Sequence, residues 1–151
     1  MWVDFAIFLA ACLTAGATGG LFPPGEWYDA LNKPHWTPPG WVFPVTWMTL
    51  YVLMAFAGAT LAQLNGAGTA LALWSLQIAL NALWTPVFFG LKRVKLALGV
   101  IAALWVSVGL CVVVFWSNSM VAGLAFLPYF IWVSIASALN YSVWRLNSDL
   151  E

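Results

Sequence analysis

The sequence predicts an all-α integral membrane fold, a single bundle of five transmembrane helices with a long aromatic, proline-rich first loop as its lid. Three observations carry this. Of 151 residues 64% are hydrophobic and 7% charged, against about 25% charged in an ordinary water-soluble domain. The few charges punctuate the chain, leaving long stretches without one. The basic residues all fall on alternate connections, as they would if the chain crossed a bilayer five times.

The spans follow in order. No charge lies between Asp4 and Glu26, between Pro34 and Leu91, or between Leu96 and Trp144. A helix needs about 20 apolar residues to cross the hydrocarbon core. The first stretch holds one span. The second is cut by the polar turn from Gln63 to Thr69, and the third at Trp116-Ser117-Asn118-Ser119. The spans are therefore placed at 4–22, 44–64, 69–90, 95–116 and 121–144. Continuous rather than alternating hydrophobicity argues for helices over a barrel. The N-terminus, Met1-Trp2-Val3-Asp4, lacks a basic leader, so the first span is expected to persist as a helix. One domain, 1–151, fits this length.

With five spans, the first loop, the third loop and the C-terminus share a side. Lys33, Lys92, Arg93, Lys95 and Arg145 all fall there, which predicts an N-out, C-in topology. A net charge of zero gives no reason to expect a nucleic-acid partner.

Residues 23–43 form the long first loop, which holds Pro23, Pro24, Pro34, Pro38 and Pro39 among Trp27, Tyr28, Trp36, Trp41 and Phe43. Prolines at this density stiffen the backbone and forbid a continuous helix. The aromatics favour packing on apolar surface, so the loop is expected to lie over the bundle's mouth.

Eleven tryptophans are present. Trp2, Trp41, Trp74, Trp116 and Trp144 stand near span ends, where an interfacial belt accounts for them. Trp105 and Trp132 fall near mid-span, and Trp47 and Trp84 about a turn inside their helices. An indole N–H at membrane depth wants a partner, which points Trp132 towards the interior or a cavity. Helical spacing aligns Tyr129, Trp132, Ala136 and Leu139; Phe43, Trp47, Tyr51 and Met54; and Gln77, Asn81 and Trp84. Each stripe is compatible with plain packing. Carboxamides at membrane depth, however, usually join helices or line a site. Aromatic walls with a few polar groups suit a flat apolar ligand.

The sequence offers no charged residue in the body of a span for a proton or ion path, no Ser-His-Asp or Cys-His set, and no glycine-rich phosphate loop. Its single histidine, His35, is too little for a metal site; axial ligation of a metalloporphyrin is the one such role open to it. Cys12 and Cys111 sit in apolar runs without metal-ligand spacing and read as small buried hydrophobes. No cofactor is required by these residues. Gly16-x-x-x-Gly20 permits close helix approach, within the chain or between chains.

The run Trp27-Tyr28-x-x-Leu31-x-Lys33-Pro34-x-Trp36-x-Pro38-Pro39-x-Trp41 resembles the first loop of the TspO/MBR family of translocator or tryptophan-rich sensory proteins. Trp47-x-x-Leu50-Tyr51, Gln77-x-x-Leu80-Asn81-x-x-Trp84-x-Pro86-x-Phe88-Phe89-Gly90, Pro128-Tyr129-x-x-Trp132 and Leu139-Asn140-Tyr141-Ser142-Val143-Trp144-Arg145 extend it in order. The resemblance implies a five-helix bundle in the lipid bilayer, often a homodimer. It also implies a cavity binding porphyrins such as protoporphyrin IX, cholesterol and drug-like ligands. Trp47, Asn81 and Trp132 match family pocket residues. Ala136 and Leu139 share the matching face of span five, Trp36, Phe43 and Tyr51 match aromatic positions nearby, and Trp84 completes the candidate set. Leu139-x-Tyr141-x-x-x-Arg145 fits the proposed cholesterol pattern; an interfacial tyrosine and a snorkelling arginine are the plainer reading.

Three functions follow as expectations: a tetrapyrrole receptor or transporter-like module; light- and oxygen-dependent porphyrin breakdown with Trp47 and Trp132 as oxidisable participants; or a scaffold without a saturable ligand. The charge bias suits a bacterial inner membrane, while related proteins occupy bacterial or mitochondrial outer membranes.

Overall fold

In the computed structural model, which describes residues 1–150, the chain is helical from the second residue. Helix α1 spans Trp2–Leu21, and the short α2, Glu26–Asp29, lies inside the first loop. Then come α3 (Val42–Ala62), α4 (Gly68–Thr85), α5 (Val94–Asn118) and α6 (Met120–Leu146). Five helices are long and apolar enough to cross a membrane among the described residues, and the protein is a multi-pass membrane protein.

Proline and glycine set the local irregularities. Pro86 has no N–H to continue α4, and Pro86–Gly90 runs on as a π-helical turn in which the Leu91 N–H reaches back to Pro86 O at 2.8 Å. Lys92 then takes a left-handed conformation, φ 57°, and the Arg93 N–H closes on Val87 O at 3.2 Å. At the other end of α5, Ser119 is extended, and its hydroxyl accepts from the Ala122 N–H to cap α6. The two helices approach so closely there that a Cβ on Gly123 would stand 2.8 Å from the Trp116 Cα.

The helices close into a ring. Helix α1 packs on α3 and α4, α3 on α6, α4 on α5, and α5 on α6, the most extensive pair. The core has two parts. One is centred on Met54, Leu104, Phe115, Phe126 and Tyr129, with both cysteines, buried and free. The other, at the loop end, joins Leu31 to Val87, Phe88, Ala97, Leu139 and Val143. The opposite end is tied by Asp4, which accepts from Nε2 of Gln63, just past α3, at 2.8 Å and pairs with the terminal ammonium.

Trp2, Trp41 and Trp116 are exposed, as the belt reading requires, but that reading is corrected for Trp74. This side chain is 3% exposed. It lies nearly two turns inside α4, which begins at Gly68, donates its N–H to Met54 O at 2.9 Å, and packs edge-on against Phe8. Trp105 is 41% exposed on the lipid side; its N–H is satisfied locally by Ser134 Oγ at 2.8 Å.

Candidate functional site

A cavity of about 910 Å³ opens at the loop end of the ring, within the range of ligand sites. All five spanning helices contribute walls, and Tyr28, Lys33, Thr37 and Pro38 of the first loop roof it. The loop is held over it by aromatic packing of Trp27 on Phe88 and of Tyr28 on Phe88 and Phe89. Burial, with a smaller contribution from the Asp29 carboxylate, raises the Tyr28 phenol above its ordinary pKa, so the roof presents it neutral at physiological pH.

Most of the predicted residues meet here. Phe43, Trp47, Tyr51, Asn81, Trp84, Trp132, Ala136 and Leu139 all line the cavity. Phe43 meets Trp132 edge-on at 5.7 Å, Trp47 stacks on Tyr51 at 5.7 Å, and Trp84 stacks on Phe88 at 4.9 Å. Gly16 explains how Tyr51 fits: a Cβ there would lie 2.6 Å from the Tyr51 ring, whereas Gly20 faces open space. The close approach available at Gly16 is thus used within the chain.

Trp36 does not line the cavity; its neighbours Thr37, Pro38 and Gly40 do. The Thr37 N–H and Oγ both bond to Pro34 O, at 3.0 and 2.6 Å, and this tight turn leaves Trp36 41% exposed. Nor does the structure unite the cholesterol pattern. Leu139 is buried against the cavity, whereas Tyr141 is exposed and receives a hydrogen bond from Arg145 Nη1 at 3.2 Å on the outer surface. Spacings of two and six residues put Tyr141 and Arg145 together and Leu139 well away from them. Three stripe members also fall outside the cavity: Met54, Gln77 and Tyr129 are completely buried.

The polar groups sort sharply into spent and unspent. Asn81 is engaged on both sides, accepting from Tyr51 OH at 3.3 Å and donating to Tyr129 OH at 3.0 Å. The Trp84 N–H goes to Asn140 Oδ1 at 3.0 Å, and Asn140 Nδ2 goes to Val94 O at 3.0 Å. These two carboxamides brace the helices at the cavity wall. This network fixes the Asn81 carboxamide between two phenols and leaves it one N–H and one lone pair. Trp132 differs: it is 9% exposed, lines the cavity, and its Nε1–H has no partner. A buried donor left unmade costs about 1–3 kcal/mol; the nitrogen is sealed from solvent, so an acceptor in the cavity meets it only when the indole turns to face that acceptor.

Sequence reasoning missed Asn140 as a brace, although a carboxamide inside span five was the same signal that marked Gln77 and Asn81. It also missed Ile101 and Leu104, which give α5 a share of the wall; nothing distinguishes them from other aliphatic residues of that span. Among the described residues no cluster of potential ligands could hold a metal ion, and His35 is exposed in the loop.

Comparison with known proteins identifies the family. The TspO/MBR family model matches residues 8–145. The chain is 52% identical over 147 residues to protein CrtK of Rhodobacter capsulatus, covering 95% of this chain and 92% of that protein. It is 49% identical over 146 residues to the tryptophan-rich sensory protein of Cereibacter sphaeroides, covering 97% and 92%. It is 34% identical over 154 residues to the human translocator protein, covering 97% and 91%.

Proposed function

The chain belongs to the TspO/MBR family, and from this membership and its cavity we propose that it is a receptor or transporter-like protein that binds tetrapyrroles, protoporphyrin IX foremost, inside the membrane. Cholesterol or drug-like apolar molecules are secondary ligands in the same reading, and the working assembly is a homodimer. No cofactor is needed, because the porphyrin is itself the ligand.

The observation that carries the reading is the unpartnered indole N–H of Trp132 in an aromatic cavity. Burying a large planar apolar molecule gains roughly 25 cal/mol per Å² removed from water. With the indole turned to face the ligand, the N–H would supply one directional contact to an acceptor such as a pyrrolenine nitrogen or a carbonyl. The test is titration of purified protein in detergent with protoporphyrin IX in the dark, followed by tryptophan quenching. Wild type is expected to saturate, and Trp132→Phe to bind about fivefold more weakly, the value of one hydrogen bond. Linear quenching, or quenching indifferent to Trp132, would mean partition into detergent and favour a scaffold.

A second reading has support in the placement of Trp47 and Trp132 on one cavity, where both would meet a photoexcited porphyrin. Light- and oxygen-dependent breakdown would then leave a new chromophore in illuminated samples, beyond bleaching of free dye, and Trp→Phe changes at both positions would abolish it. The pigment would supply the reactive chemistry and the protein the positioning.

A further inference from the structure

We propose that Asn147 is the latch of the cavity's roof, and that its release sets the rate at which ligand exchanges; this rests on the reading of the cavity as a ligand site. Asn147 ends α6, and its carboxamide pairs with the loop backbone at Asn32 as a neighbouring strand would. Oδ1 accepts the Asn32 N–H at 2.9 Å, and Nδ2 donates to Asn32 O at 2.8 Å. The second Nδ2 hydrogen goes to Val143 O at 2.7 Å, closing the helix's last turn. One side chain therefore joins the C-terminal cap of α6 to a loop 115 residues away.

The segment it grips is stiff. The Lys33 ammonium gathers the carbonyls of Tyr28, Leu31 and Asp29 at 2.6, 3.1 and 3.3 Å and lies 4.6 Å over the Tyr28 ring. Leu31, next to Asn32, is buried against Val143 and Leu139. Residues 28–33 are thus organised to move as a body, and two of them, Tyr28 and Lys33, belong to the roof. The clasp sits at the rim, where Asn32 is exposed, so water can replace its hydrogen bonds as it parts. Apolar packing alone would hold the roof down without fixing its register. The reciprocal amide pairing fixes both, and its rupture is the discrete step that a gate requires.

The experiment is stopped-flow tryptophan quenching by protoporphyrin IX, in the dark, on the full-length protein in nanodiscs. Wild type, Asn147→Ala and Asn147→Asp are compared. A latch predicts that association and dissociation both accelerate in Asn147→Ala, by about 25-fold for two lost hydrogen bonds at about fivefold each, while Kd moves by less than about threefold. Asn147→Asp keeps the acceptor for the Asn32 N–H and falls between the two. It also decides the matter if the alanine variant does not fold. General damage to the site would instead slow association and raise Kd. Wild-type rates in both variants, or acceleration of dissociation alone, overturn the latch. Binding indifferent to Trp132→Phe would overturn the cavity reading itself, whatever Asn147 does.

Discussion

Asn81 and Trp132 stand in the same cavity wall, yet their hydrogen-bonding states assign them different work. Asn81 links two phenols on different helices, Tyr51 of α3 and Tyr129 of α6, so removing it strands hydroxyls in an apolar interior. Asn81→Ala is expected to lower unfolding stability by about 1–2 kcal/mol, the range of interhelical hydrogen bonds in membranes. Porphyrin affinity should change little under conditions where the variant remains folded. Thermal unfolding in detergent, run beside the dark titration, separates the roles; lost affinity with unchanged stability would make Asn81 a direct ligand contact. The sequence could locate both residues by helical spacing. It could not say which N–H or C=O was already engaged, because that depends on partners such as Tyr129 and Tyr51, which lie 48 and 30 residues from Asn81.

At the scale of elements, the turns are tuned by single residues. Gly123 faces backbone atoms of Trp116, with the Cα at 2.8 Å and the N at 2.9 Å from an added Cβ. Neither can swing aside as a side chain would. Gly123→Ala should therefore force α5 and α6 apart, costing about 1–3 kcal/mol, measurable as a lower unfolding temperature. Lys92 offers the opposite case. Its left-handed backbone is the conformation glycine adopts freely at a helix end, so Lys92→Gly should be neutral or stabilise by up to about 1 kcal/mol. The span boundaries were legible because charges and the turns at Asn65-Gly66 and Asn118-Ser119 interrupt otherwise unbroken apolar runs. The helix α2 and the π-helical turn after Pro86 were not. Four residues give too little periodicity to read, and an altered hydrogen-bond register leaves the hydropathy unchanged. Trp74 was misplaced for a related reason: α4 begins at Gly68, so proximity to the polar turn did not make its side chain interfacial.

At the scale of the molecule, the ring of helices brings the cavity, the roof and the basic residues to one end. Lys33 lies in the roof segment, Lys92 and Arg93 connect α4 to α5, Lys95 lies in the first turn of α5, and Arg145 in the last turn of α6; the Asn140–Val94 and Asn32–Asn147 contacts hold these segments together. Cytoplasmic segments carry the excess of Lys and Arg, so the mouth should face the cytoplasm and the α3–α4 turn the exterior. Cysteine labelling tests this cleanly, since Cys12 and Cys111 are completely buried and should resist a membrane-impermeant maleimide in the folded protein. Asn65→Cys is expected to react in intact spheroplasts, whereas Ser148→Cys should react only after lysis. The reverse pattern would put the mouth outside and require the charge bias to be overridden during insertion. The consequence is functional, because orientation decides which compartment the latched roof serves. With the mouth inward, exchange past Asn32 and Asn147 would supply or sample ligand on the cytoplasmic side, and the exposed apolar faces of α1 would meet only lipid or a second subunit.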